Sequence, residues 1–160
     1  MKLIRGLNRV ANVLSPNKRA YANIPPVRLA DVMTQEIVSV SPGQTFGEVI
    51  GLMANRPFRH VLVIREDGRL AGVISDRDLL RKIAVTKDWK SKLVEEVMTR
   101  DVLTVRAETT ISAAVREIIG RRINCLPVLD KNEKVCGIVT STDLLRAFEI
   151  LQAALEKLAG

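Results

Sequence analysis

The chain has little of what metal sites and disulfide frameworks need, with two cysteines and one histidine among 160 residues. A structural zinc site takes four convergent nitrogen or sulfur ligands, and neither a CxxC nor an HxxxH spacing occurs. Cys125 and Cys136 lie in β-rich apolar stretches, so we expect two buried free thiols. His60 has no acidic neighbour in sequence, and no nucleophile stands at a usable spacing from a base, which predicts a non-enzymatic protein that requires no metal or cofactor.

Long apolar runs and aromatic residues are also scarce. No stretch approaches eighteen consecutive apolar residues, and the N-terminus lacks the apolar core and cleavage site of a secretory signal. We therefore expect a cytoplasmic protein without a transmembrane helix. One tryptophan, one tyrosine and three phenylalanines offer no evident platform for stacking bases, so nucleic acid is an unfavoured partner.

Acidic residues are missing from the first 29 positions, and this gap explains the net charge of +7. That segment carries a charge of +6, whereas the rest of the chain holds 19 basic and 18 acidic side chains. Residues 2–14 have the spacing of an amphipathic helix, for which we favour packing on the module or on a second subunit over a membrane surface or a targeting role. Residues 15–29 contain three prolines and are predicted to be a linker without regular structure.

An internal repeat is the strongest signal that is present. Residues 32–81 align with residues 97–146 at a constant offset of 65 without a gap, and twelve of the fifty positions are identical. Both copies begin with Val-Met-Thr and end with Asp-Leu-Leu-Arg. Self-similarity of this kind indicates two copies of one structural unit.

Each copy shows the same order of periodicities. A β-branched run predicts a first strand, at 37–40 and at 102–105. An amphipathic helix follows, beginning near Phe46 and near Ile111, with a capping box in the first copy only, at Thr45-x-x-Glu48.

Two further apolar runs in each copy predict a hairpin, and a last helix opens at Asp76 or Ser141. The runs span 61–64 and 70–74 in the first copy, and 126–129 and 135–139 in the second. The unit is therefore β-α-β-β-α. Two such units can bury both sheet faces by packing sheet to sheet, which predicts an α/β (α+β) fold with pseudo-two-fold symmetry.

The repeat resembles the CBS motif, in which a Val-Met-Thr start, a helix and a hairpin precede a closing Gly-h-h-Ser/Thr-x-x-Asp element. That element stands here at 72–78 and 137–143. The resemblance covers residues 30–148 and implies a disc-like paired module that dimerises. It also implies that the clefts between the motifs bind an adenosine-containing ligand, commonly AMP, ADP or ATP and less often S-adenosylmethionine or NADH, without catalysis.

Five segments follow from the repeat and the resemblance. Residues 1–29 form a basic N-terminal helix and linker, 30–84 the first CBS motif, 85–94 a linker, 95–148 the second motif, and 149–160 an extension of the last helix. A heptad spacing runs through the last helix into that extension, which suits either a dimer contact or packing on the same module. Its members are Leu144, Phe148, Leu151, Leu155 and Leu158.

The closing element has two interpretations. A hydroxyl at a strand-to-helix junction lies beside free backbone N–H groups that can bind phosphate, and an Asp in the first turn can accept from ribose hydroxyls. The spacing of Ser75 with Asp78, and of Thr140 with Asp143, equally fits a plain helix cap. The resemblance favours ligand contacts at Asp143 and Thr142, whereas Arg77 replaces the matching hydroxyl beside Asp78.

Family sites are composite, so the resemblance implies two clefts, each joining the closing element of one motif to the first strand and hairpin start of the other. Apolar members could hold an adenine ring or be ordinary core. Cleft one would combine Thr140, Thr142 and Asp143 with Val38, Phe58, Arg59 and His60. Cleft two would combine Ser75, Arg77 and Asp78 with Leu103, Ile123 and Asn124. Arginine beside the first hairpin favours cleft one for a phosphorylated ligand.

Two alternatives stay open. The clefts could be vestigial in a structural or interaction module that works through a homodimer or another protein partner. The ligand could also be S-adenosylmethionine or NADH in place of a nucleotide.

Overall fold

The computed structural model describes residues 26–159 of the chain, without the side chains of Leu155, Leu158 and Ala159. The predicted helix at 2–14, most of the predicted linker at 15–29 and the end of the heptad pattern therefore lie outside the described residues. The linker prediction extends too far, because Leu29 is fully buried and begins a 3-10 turn, Leu29–Asp31.

The first motif has the predicted order of elements. Strand β1 spans Ser39–Val40, helix α1 Phe46–Ala54, strand β2 His60–Ile64, strand β3 Leu70–Ser75 and helix α2 Asp76–Val85. The predicted capping box at the start of α1 is confirmed, since the Glu48 carboxylate accepts hydrogen bonds from the backbone N–H and the hydroxyl of Thr45 at 2.6 and 2.8 Å. Hairpin and helix boundaries in this motif agree with the sequence pattern to within one residue.

The second motif repeats this order after a connecting segment that is partly ordered into a 3-10 turn, Trp89–Ser91. Its elements are helix α3 Val94–Val97, strand β4 Val105–Arg106, helix α4 Ile111–Arg121, strand β5 Cys125–Leu129, strand β6 Val135–Thr140 and helix α5 Ser141–Ala159. Thr110 caps α4 by accepting from the Ala113 N–H, and α4 has no reciprocal box, as predicted.

The strands form two three-stranded sheets, ordered β1-β2-β3 and β4-β5-β6. β1 runs parallel to β2, and β2 pairs with β3 in antiparallel register with His60 opposite Ser75. The first strands are shorter than predicted, because only two residues enter each ladder. The prediction at 37–40 begins two residues too early, and the prediction at 102–105 overlaps the observed strand, Val105–Arg106, at one residue. The chain instead makes tight local bonds just before the strands, from Ile37 N–H to the Gln35 carbonyl and from Val102 N–H to the Arg100 carbonyl.

The chain divides into two compact units, and each draws on both motifs. The described part of the first comprises 26–34, 105–128 and 138–159, and the second comprises 35–104 and 129–137. In the first unit Thr34 forms a β-bridge with Ile138, and in the second Thr99 forms a β-bridge with Val73. The two Val-Met-Thr segments of the repeat therefore each bond to the closing strand of the other motif.

The core of the second unit lies under the first sheet and α1. Trp89 packs edge-on against the fully buried ring of Phe46, with ring centroids 6.4 Å apart, so the predicted linker contributes to this core. The buried members of this cluster are Val40, Phe46, Val49, Met53, Val61, Val63, Ala71, Ile74, Leu79, Val94, Val97 and Met98.

Two predictions about side chains need correction. Neither cysteine forms a disulfide, and only Cys125 is buried, whereas Cys136 in β6 is half-buried. The apolar spacing that begins at Ile111 predicts Ile119 on the buried face of α4, but Ile119 is 71% exposed, because that face is narrower and centres on Ala114 and Ile118. Within residues 26–159, no helix has the length and apolarity needed to cross a membrane.

Candidate functional site

The closing element of the first motif lies where β3 runs into α2. Ser75 is the N-cap of α2 in extended conformation, and its hydroxyl accepts from the Asp78 N–H at 3.2 Å. One carboxylate oxygen of Asp78, Oδ2, accepts from the backbone N–H of Ser75 at 3.0 Å and from its hydroxyl at 2.7 Å. In the described part of the chain no hydrogen bond reaches Oδ1 of Asp78, so that atom can accept from a ligand.

The closing element of the second motif has the same geometry with one addition. Asp143 Oδ2 accepts from the N–H and the hydroxyl of Thr140 at 2.8 and 2.6 Å. Its other oxygen, Oδ1, accepts from the Thr34 hydroxyl at a long 3.3 Å. Asp143 is 8% exposed, whereas Asp78 is half-buried. A ligand that contacts Oδ1 of Asp143 would therefore compete with Thr34.

Both closing elements are thus reciprocal helix caps. Each satisfies backbone donors that the first turn of the helix leaves unpaired. Capping uses one carboxylate oxygen of each aspartate and does not use the second, so it is compatible with a ligand role but does not require one.

The start of the first hairpin lies at the same end of the sheet as the first closing element. Arg59 donates from Nε to Asp76 Oδ2 at 2.9 Å, and the Asp76 N–H donates to the Arg59 carbonyl at 3.0 Å. The Arg59 side chain is 76% exposed. Its remaining guanidinium donors are therefore accessible to an anion.

Two groups in this cluster have shifted pKa values. The hydrogen bond from Arg59 is the main reason that the pKa of Asp76 lies below its ordinary 3.8. Burial is the main reason that the pKa of His60 lies below its ordinary 6.5. The Asp76 carboxylate opposes that second shift, Arg59 adds to it, and Asp78 opposes it. His60 is therefore held neutral at neutral pH and presents an imidazole rather than a cation.

The other predicted site residues of the first motif divide between surface and core. Arg77 is exposed in the first turn of α2. Phe58 is half-buried and packs against the core cluster of its unit. This contact is what an ordinary core residue makes, the second of the two roles considered for it. Val38 is half-buried, and its carbonyl accepts from the Leu62 N–H at 3.2 Å.

In the second motif, Asn124 meets the start of α5. Its carbonyl accepts from the Ser141 N–H at 3.1 Å, and its side chain lies 3.4 Å from the Ser141 hydroxyl. Thr142 is exposed one residue further on, while Ile123 and Leu103 are half-buried. Each closing element is thus brought together with its own hairpin start, and the division of these residues between two composite clefts stays a prediction.

Sequence reasoning missed Thr34 as a neighbour of the site. Its hydroxyl bonds to Asp143 Oδ1, and its backbone pairs with Ile138. The signal was present, because Thr34 and Thr99 are the identical threonines of the two Val-Met-Thr segments. Among the residues that the structure describes, no group of His, Cys, Asp and Glu side chains could hold a metal ion.

Relatives at about 30% identity are much longer proteins, of which only a part aligns with this chain. The homoserine O-acetyltransferase of Methanohalobium evestigatum is 31% identical over 121 residues, which is 76% of this chain and 24% of that protein. The chain thus spans about a quarter of that relative's length.

Solved structures match over almost their whole length. CBSX2 in complex with AMP superposes with a TM-score of 0.70 at 28% identity, covering 79% of this chain and 98% of that one. The CBS domain pair of protein MJ0100, solved with 5′-methylthioadenosine and S-adenosyl-L-methionine, gives a TM-score of 0.70 at 26% identity, covering 78% and 98%.

The family model for the CBS domain matches this chain twice, at residues 29–85 and 94–150. These matches contain both closing elements and both three-stranded sheets. The chain therefore belongs to the CBS-domain family and carries two CBS domains in tandem.

Proposed function

We propose that this chain is a non-catalytic regulatory module that binds an adenosine-containing ligand, with AMP, ADP or ATP as the preferred class. The observation that carries the proposal is the closing element, in which an aspartate at a helix N-terminus uses one carboxylate oxygen for capping in both motifs and keeps a second oxygen that the cap does not use. Two structural neighbours with the same fold, one solved with AMP and one with S-adenosylmethionine and 5′-methylthioadenosine, support an adenosine ligand.

The sugar contact follows from the acceptor that capping leaves over. Ribose presents two adjacent hydroxyl donors, and the carboxylate oxygen that capping does not use has two lone pairs with which to accept from them. Asp78 offers Oδ1 directly. Asp143 offers it after the weak bond from Thr34, at 3.3 Å, is replaced by a stronger one.

The phosphate contact follows from the positive end of α2. The backbone N–H groups of Asp76, Arg77 and Asp78 already donate within the cap, to the Arg59 carbonyl, the Asp76 carboxylate and the Ser75 hydroxyl. The donors left for a phosphate at this end are therefore the exposed guanidinium groups of Arg59 and Arg77. Anions are stabilised at such helix N-termini, and arginine adds bidentate donors. We propose that a nucleotide tail lies at this end of the first sheet.

Exchanging both aspartates tests the proposal by calorimetric titration with AMP. The double variant Asp78→Asn/Asp143→Asn keeps Ser75 and Thr140 as capping residues, and an asparagine oxygen can still accept from their backbone N–H groups. We expect AMP affinity to fall at least about tenfold, a loss of about 1.4 kcal/mol. The control Asp88→Asn/Asp101→Asn makes the same charge change at exposed positions and should alter affinity less than about twofold. Equal affinity in the two double variants would support vestigial clefts instead.

Thr142 separates ligand contact from capping. Its side chain is exposed and the described structure gives it no hydrogen bond, so Thr142→Ala should leave the melting temperature unchanged. If the hydroxyl contacts the ligand, AMP affinity falls several-fold, and Thr86→Ala, at the end of α2, serves as the matched control. Unchanged affinity in Thr142→Ala would remove this residue from the site.

The alternative of an interaction module has one observation in its favour. On α5, Leu145 is 66% exposed and Phe148 is 58% exposed, and their spacing of three residues makes them neighbours on one helix face that a partner can cover. We propose that this face contributes to a homodimer of a cytoplasmic protein. Light scattering should give twice the chain mass, and Leu145→Glu/Phe148→Glu should give the monomer mass. A monomer in the unmodified protein would contradict the proposed dimer.

A further inference from the structure

An open pocket of about 300 Å³ lies at the turn end of the first hairpin, within the second compact unit. Three arginines line it, Arg65, Arg69 and Arg100, together with Thr104 and Glu133. The remaining lining is partly apolar and includes Leu129. None of these residues belongs to either closing element.

The pocket and the closing element lie at opposite ends of the same two strands. In the β2–β3 ladder, His60 pairs with Ser75 at one end and Ile64 with Leu70 at the other. Four residue steps along a strand correspond to about 13 Å. A molecule of ordinary metabolite size bound at the turn end would therefore not touch Asp78 or Arg59.

The hairpin turn holds the first two arginines in place. Arg65 donates its backbone N–H to the Arg69 carbonyl at 2.9 Å, and the Gly68 N–H donates back to the Arg65 carbonyl at 2.9 Å. Gly68 has a φ of 83°, a conformation that glycine adopts without strain. The carbonyl of Gly68 also accepts from Val135 N–H at 3.1 Å, so the turn is tied to the start of β6.

The guanidinium groups are oriented but have donors to spare. Arg65 donates one bond, from Nη1 to the Leu70 carbonyl at 3.3 Å, and Arg100 donates one, from Nη2 to the Glu95 carbonyl at 2.5 Å. Arg69 has an exposed ion pair with Asp67 at 3.8 Å, which contributes little. A guanidinium carries five N–H donors, so most of the donors in this cluster are available to a ligand.

The lining carries three positive charges against the single carboxylate of Glu133. Closely spaced arginines are a typical arrangement for binding phosphate groups, because the planar guanidinium makes paired hydrogen bonds to two oxygens. The apolar part of the lining suits the carbon skeleton of a phosphorylated metabolite.

The basic cluster occurs in one copy of the repeat. At the offset of 65, Arg65 corresponds to Asp130, Arg69 to Lys134 and Arg100 to Gln35. The second hairpin forms with this different set, so the β-α-β-β-α unit does not need arginine at these positions. The cluster is therefore not explained by folding of the hairpin.

We propose that this pocket is a second ligand site that binds the phosphate group of a small phosphorylated molecule, separate from the closing elements. Pyrophosphate and inorganic phosphate are the probes, titrated by calorimetry at about 50 mM NaCl, where screening is moderate. We expect Arg65→Gln/Arg100→Gln to weaken pyrophosphate binding at least about tenfold. The control Arg81→Gln/Arg116→Gln removes the same charge from exposed helix positions and should change it less than about twofold.

Three further arms separate the alternatives. Saturating AMP should leave pyrophosphate binding intact, and the double variant Arg65→Gln/Arg100→Gln should keep AMP affinity within about twofold of the unmodified protein. Glyceraldehyde 3-phosphate and citrate compare a phosphate ester with a polycarboxylate of similar size, and the phosphate ester should bind more tightly.

Four results would overturn the proposal. They are no saturable pyrophosphate binding, equal losses in both arginine double variants, displacement of pyrophosphate by AMP, or tighter binding of citrate than of the phosphate ester. If the protein binds pyrophosphate but not AMP, the phosphate site proposed here is supported, and only the proposed binding of an adenosine-containing ligand is contradicted.

Discussion

His60 sits at the start of β2, opposite Ser75 and close to three charged groups. The groups facing it are Asp76 and Asp78 from α2, and Arg59 next to it in the chain. Burial disfavours its charged form more than the two carboxylates favour it, so its pKa is lowered in the folded state. The folded protein thus binds fewer protons here than the unfolded chain.

Stability should therefore fall as the pH falls through the window below His60's ordinary pKa of 6.5 and above its lowered value in the folded protein. The loss is complete once the pH is below the folded-state pKa. Urea unfolding across this window should show a loss in the unmodified protein that His60→Gln does not show. Asp76 acts in a separate, more acidic pH window. Its pKa is lowered in the folded protein, so it stabilises the fold at pH values above its ordinary pKa of 3.8, and this stabilisation is lost as the pH falls through the folded-state pKa. Equal slopes for both proteins would contradict the assignment to His60.

Gly72 illustrates a residue whose lack of a side chain the fold requires. A Cβ at this position would stand 2.6 Å from the Thr99 carbonyl and 2.8 Å from the Met98 sulfur, closer than atoms can pack. We expect Gly72→Ala to destabilise the protein by about 1–3 kcal/mol, the usual cost of overpacking. Gly51→Ala is the matched control, because nothing lies within 4 Å of its Cβ and alanine favours the helix α1 by about 1 kcal/mol. Calorimetric melting should lower Tm for the first and raise it for the second.

At the scale of elements, helix caps define where the chain turns from strand to helix. Thr45 accepts from the Glu48 N–H at 3.3 Å and donates to the Glu48 carboxylate at 2.8 Å. Thr45→Ala should cost about 1 kcal/mol of unfolding free energy. Ser41→Ala, at an exposed position just before it, should change stability by less than about 0.5 kcal/mol. Urea unfolding measures both, and equal losses would show that the box is not a stabilising cap.

Helices and hairpins were predictable because their signals are local. The capping box at Thr45 and the apolar runs of each hairpin contain the whole pattern within a few residues. The short first strands were not, because β-branched composition does not show where ladder pairing begins. Ile37 bonds to the nearby Gln35 carbonyl, and Val38 makes one bond to Leu62 of β2 without joining the ladder. The role of Trp89 was also hidden, since its contact with Phe46 joins segments more than forty residues apart.

At the scale of the whole molecule, the repeat predicted two motifs but not how the chain divides. Each compact unit combines the Val-Met-Thr segment of one motif with the closing strand of the other, through Thr34 with Ile138 and Thr99 with Val73. Those long-range bridges have no local signature. The arginine pocket has none either, because Arg65, Arg100 and Glu133 come from three separate segments.

The central claim is that the tandem CBS domains bind an adenosine-containing ligand. Calorimetric titration of the purified protein with AMP, ADP, ATP and S-adenosylmethionine tests it most directly, with GMP as the control for base recognition. The account predicts saturable heat with at least one adenosine ligand, strongest for a phosphorylated one, and much weaker binding of GMP. Absence of binding heat with all four ligands at concentrations up to about 1 mM would contradict the claim. That result would mean a binding free energy weaker than about −4 kcal/mol.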